Sequence, residues 1–222
     1  MVKFAFKFKN AFTLAEVLIT LVIIGVVAAL TISPLINTYV ESSTVSKVKK
    51  GLSILGQAKK LAEVKNGSID GWDFDGVMTT DDSEKFLRYI LPHLSIAKDC
   101  GTNADCYPVT DVYRLDGNIH EYGASHYSSF NKFVLADGSV MFFTTYPGKC
   151  SATERGVEKS CGVFYYDVNG SKSPNAIGRD IFAYIITPDG VYPVLSNDCN
   201  KNGEGWGCAA YIIKNNNMNY LH

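Results

Sequence analysis

Glu16 is the single ionisable side chain in an apolar run from Phe12 to Ile32. A carboxylate so placed costs on the order of a few kcal/mol on insertion scales, so it is a functional candidate by default. A second group of candidates is Asp167, Asn169, Asn175 and Asp180, which crowd oxygen donors into one short stretch. Carboxylates and amide carbonyls are hard ligands of the kind Ca2+ takes. The stretch is no EF-hand loop, because Gly170 comes too early and no Glu closes it. A run of Asn, Gly, Ser and Pro between strands also makes turns whose side chains bond their own backbone, and that reading is favoured, with Ca2+ as the alternative. His120 and His126 flank Glu121, yet their spacing puts them on no common helix face, so they read as exposed loop histidines. No G-x-S-x-G elbow, phosphate loop or dinucleotide fingerprint is present, and no enzyme is expected.

The six cysteines form the third group. They fall in local pairs, Cys100/Cys106, Cys150/Cys161 and Cys199/Cys208, with none in the first 99 residues. An even count downstream of a membrane-targeting segment marks an oxidising compartment. Zinc is the competing reading, but no pair has C-x2-C spacing and the four His residues complete no ligand set. Disulfides are expected, and nearest-neighbour pairing is the simplest of the 15 connectivities that six cysteines allow.

The elements that must position these groups follow from hydropathy and charge. Apolar residues make up 46% of the 222 and charged residues 19%, which excludes a disordered chain. Only one stretch could span a bilayer, which excludes a polytopic membrane protein. As a helix its 21 residues rise about 31 Å, enough to cross. Lys3, Lys7 and Lys9 precede it, so that flank is expected in the cytoplasm and everything after Pro34 outside. A cleaved signal peptide would have a shorter core, and a plain anchor leaves Glu16 unexplained. Residues 67–222 hold 12 basic and 19 acidic side chains, a net of −7, so no nucleic-acid partner is favoured.

Ala11-Phe12-Thr13-Leu14-Ala15-Glu16 resembles the processing site of type IV pilins and type II secretion pseudopilins, followed by their hydrophobic helix. The resemblance covers about Lys9 to Ile36 and includes Gly25 and a Pro at the end of the run. It departs at Ala11, where the family usually has Gly, and at Pro34, one residue later than is common. It implies that a prepilin peptidase cuts between Ala11 and Phe12 and methylates the Phe12 amine. Glu16 would then make the assembly contact, neutralising the amine of a neighbouring stem. The implied partners are that peptidase, other pilin or pseudopilin subunits, an inner-membrane assembly platform and the lipid bilayer. The implied location is the bacterial inner membrane, single-pass, then a pilus or pseudopilus. Major pseudopilins bind calcium in a head loop, but Asp167–Asp180 does not match theirs residue by residue.

The chain therefore divides into a basic leader (1–11), a transmembrane and assembly helix (12–34), an amphipathic stem helix (35–66) and an extracytoplasmic head (67–222). In the stem, Tyr39, Val45, Val48, Leu52, Leu55, Ala58 and Ala62 recur at helical spacing, and Asn66-Gly67 supplies a stop. Asp81-x-x-Glu84 suggests a capping box ahead of a short helix over 85–91. Strand signals flank Asp137-Gly138 and Pro188-Asp189-Gly190, a further strand starts at Gly162, and Asn215–Asn219 reads as a loose tail. The expected fold class is α+β, with the long N-terminal helix packed on an antiparallel sheet of four or five strands. The expected function is structural, as a subunit of a type IV pilus or type II secretion filament. The alternatives are a membrane-tethered binding or adhesin protein that does not polymerise, and an anchored hydrolase.

Overall fold

The computed structural model describes residues 12–108, 111–120 and 130–222. The expected leader (1–11), including Ala11, lies outside the described residues, as do Glu121 and His126. Two compact units divide at Ser42/Ser43, and helix α1 (Leu14–Asn66) belongs to both. In the first unit Phe12 and the large apolar side chains of α1 from Leu14 through Leu30 to Val40 stand exposed. Among the described residues this is the one helix long and apolar enough to cross a membrane.

The second unit begins with the rest of α1. Val45, Val48, Leu55, Ala58 and Ala62 lie on one face of the helix and are buried in the core. Gly51 lies on that same face because nothing larger fits: a Cβ there would come within 2.8 Å of the Tyr166 ring. Beside it the Tyr184 hydroxyl donates to the Val48 carbonyl at 2.6 Å. The helix stops where Gly67 takes φ +79° and its N–H donates to the Glu63 carbonyl. Tyr39, included in the expected apolar stripe, is exposed in the first unit.

Helix α2 (Thr80–Ile90) is capped by the Thr79 hydroxyl, which accepts from the Asp82 N–H at 3.2 Å. The helix therefore starts well before 85, and the Asp81/Glu84 pair does not cap it. Glu84 pairs with Arg88, one turn further along. Phe86, Leu87 and Ile90 face the core, where Phe86 stacks on Phe143 and meets Phe74 edge-on.

The sheet has six antiparallel strands in the order β1 (Ile96–Gly101), β2 (Asn131–Leu135), β3 (Val140–Thr145), β6 (Gly162–Asp167), β7 (Ile181–Ile186) and β8 (Val191–Pro193). A separate ladder, β4 (Ala152–Glu154) with β5 (Val157–Ser160), is inserted between β3 and β6. Phe133, Met141, Phe143, Phe164, Tyr166, Phe182 and Tyr184 belong to the core shared with α1 and α2. The alternate residues Val140, Phe142, Val163, Ala183 and Ile185 join a second core with Tyr107, Val112, Ile177 and Trp206. Period-2 alternation thus feeds two apolar layers, and β3 and β7 are buried along their whole length.

Three disulfides join Cys100 to Cys106, Cys150 to Cys161 and Cys199 to Cys208. The last ties the start of helix α3 (Cys208–Asn215) to the preceding loop. The expected loose tail is instead docked. Asn216 ends α3 in the left-handed conformation, Met218 and Tyr220 are buried, and the Tyr220 hydroxyl donates to the Gly178 carbonyl at 2.6 Å. Polar composition at 215–219 hid the two apolar anchors that follow the turn.

Candidate functional site

Helix α1 begins at Leu14, directly after Phe12 and Thr13. The Thr13 N–H and hydroxyl both donate to Glu16 Oε2 at 2.8 Å, and the Glu16 N–H donates back to the Thr13 hydroxyl at 3.3 Å. This is a capping box, in which two otherwise orphaned donors at the helix start are satisfied reciprocally. Phe12 and Thr13 precede the helix, and Phe12 is exposed. Glu16 thus sits where a single carboxylate serves the helix start and keeps Oε1 outside the capping contacts. Thr13 is the residue that motif reading passed over, although the Thr-x-x-Glu spacing that signals it stands in the sequence. Ala11, on the other side of the expected cut, lies outside the described residues.

The Asp167–Asp180 stretch forms a second polar centre, inside the head. Asp167 ends β6 with its side chain buried, accepting from the Tyr107 hydroxyl at 2.6 Å and from the Asn169 N–H. Asp180 precedes β7, also buried, and accepts from the N–H groups of Asn175 and Ala176 and from the Asn169 amide. Burial, then the charge of Asp180, pushes the Asp167 carboxyl well above the usual range. Burial raises Asp180 as well, against the pull of its backbone donors. These contacts organise a turn, with the carboxylates drawing the loop backbone inward. Among the described residues no three His, Cys, Asp or Glu side chains gather in a metal-binding group.

His120 is half-buried rather than exposed, with its ring edge-on to Trp206 at 5.5 Å. Four lysines of the stem reach head atoms in the structure. Lys47 donates to the Val168 carbonyl, Lys49 to Asn216, Lys50 to Asp137 and Lys59 to the Pro188 carbonyl. Burial opposes ionisation of Asp137, but the Lys50 and Ser139 bonds outweigh it and hold its pKa at about 2.

A single apolar helix with a capped start and a disulfide-linked antiparallel head is the architecture that the resemblance to pilins implies. Residues 7–32 match the prokaryotic N-terminal methylation motif, which supports the resemblance to type IV pilins and pseudopilins and points to a substrate of the prepilin peptidase. No curated protein and no solved structure matches the chain.

Proposed function

We propose that this chain is a structural, non-enzymatic subunit of a type IV pilus or type II secretion filament, assembled through α1 after cleavage between Ala11 and Phe12. The observation that carries the reading is the methylation motif at 7–32 on an apolar helix whose one acid is Glu16. Cleavage leaves a positively charged Phe12 amine. Among packed apolar stems that charge loses its hydration, and an unpaired buried ion is costly. Glu16 neutralises the amine of a neighbouring stem and sets the register between subunits. The capping contacts, which use Oε2, leave Oε1 for that amine.

N-terminal sequencing of membrane-extracted protein is expected to begin at methylated Phe12. A start near Thr31 would indicate ordinary signal-peptidase processing and remove the filament reading. Glu16→Gln keeps an acceptor for Thr13 and removes the charge. It is expected to insert and be cleaved normally but to be depleted from sheared surface filaments, with Glu16→Asp intermediate. Wild-type incorporation of Glu16→Gln would leave apolar packing alone to drive assembly.

A further inference from the structure

Between Ser43 and Asp111 only four large apolar side chains are exposed among the described residues, and they form two pairs. The first pair is Val77 and Met78, 56% and 47% exposed. Their backbone is held from beneath. The N–H groups of Asp75, Gly76 and Val77 all donate to the buried Asp82 carboxylate, which also accepts from the Thr145 hydroxyl. Gly148 donates to the Gly76 carbonyl at 3.0 Å, and a Cβ on Gly76 would strike the Lys149 backbone. Met78 itself takes φ +55°, a conformation that costs an ordinary residue about 1 kcal/mol or more. Nothing in the core requires this, since both side chains point to solvent. Around them stand Asp73, Asp75, Asp81 and Glu84, with Lys85 pairing Asp75 and Asp81, and Arg88 pairing Glu84.

The second pair is Leu61 and Val64, 52% and 86% exposed, three residues apart and so adjacent on one face of α1. Lys60 and Lys65 flank them, both exposed. The first surface thus joins an apolar pair to four acids against Lys85, Arg88 and the exposed Lys149 beside Gly76, a net of −1, and the second joins an apolar pair to Lys60 and Lys65, with Glu63 paired to Lys59.

We propose that these surfaces are the two halves of one contact between copies of this chain, the Asp75–Met78 loop of one docking on the Lys60–Lys65 face of the next. Charge complementarity selects the partner and the apolar pairs supply the burial. Because the halves differ, the contact is heterologous, and repeating it builds a ring or an open filament rather than a closed dimer. The inference rests on the filament reading and adds which head surfaces meet.

The test places the photo-cross-linking residue p-benzoylphenylalanine at Val77 of the full-length chain in its native membrane. Irradiation is expected to give a covalent dimer whose cross-linked peptide contains residues 60–65. Lys60→Glu with Lys65→Glu should lower that dimer several-fold, and adding Asp73→Lys with Asp75→Lys should restore it. No dimer, or a cross-link mapping elsewhere while filaments form normally, overturns this contact and leaves the filament reading intact. The 60–65 cross-link in cells that make no filaments upholds the contact and overturns the filament reading instead.

Discussion

Asp167 and Asp180 close the turn between β6 and β7 with carboxylates that the fold has taken out of water. Burial holds Asp167 well above the usual carboxylate value and raises Asp180, so the fold disfavours their charged forms. Stability from such groups is full below the unfolded pKa and falls as pH rises through the folded value. Asp167→Asn keeps the geometry, since the amide can accept from the Asn169 N–H and donate to the Tyr107 oxygen. The variant should be more stable than the wild type at about pH 8, and the gain should shrink as the pH falls to about 4. Thermal denaturation at the two pH values checks this, and EDTA should leave the wild-type midpoint in place. A midpoint raised by Ca2+ and lost with Asp167→Asn would mean that a cation holds the turn. Asp137 has the opposite sign: its pairing with Lys50 supports the fold at neutral pH and is lost as pH falls towards about 2.

At the scale of elements, the two glycines of the stem separate packing from propensity. Gly51→Ala places a Cβ against Tyr166 and should destabilise the head despite the better helix former. Gly56 has nothing within 4 Å of its missing Cβ, so Gly56→Ala should stabilise by roughly 0.5–1 kcal/mol. Opposite shifts in the melting temperature are the expected outcome. Replacing Cys150 and Cys161 by Ser opens the base of the β4–β5 insertion and should cost roughly 2–4 kcal/mol in denaturant unfolding. The stem stripe, the Gly67 stop and the hairpins at Asp137-Gly138 and Pro188-Asp189-Gly190 were legible because periodicity and turn chemistry are local. The two-sided sheet was not, because runs such as Val140–Phe143 do not say which layer covers each face. Nor was Asp82, whose role depends on backbone groups at 75–77 and on Thr145, a strand away. The contacts of Lys47, Lys49 and Lys59 were not legible either, because their acceptors lie far along the chain.

For the whole molecule, the topology proposed places the end bearing Lys3, Lys7 and Lys9 in the cytoplasm, because lysines flanking an apolar run stay on that side. Protease added to intact spheroplasts should therefore degrade Ser43–His222 and spare the apolar segment. Survival of the head would invert the proposed topology. The order of the sheet bears on how such a head comes to exist at all. Apart from the local β4–β5 ladder, every strand pairs with the strand before it in the chain. A polypeptide threaded through the membrane from its N-terminal side delivers α1 first, and then each strand finds its partner already across. The sheet can grow at one open edge in step with export, each strand pairing with the sheet strand delivered before it, across connections as short as 136–139 and as long as 102–130.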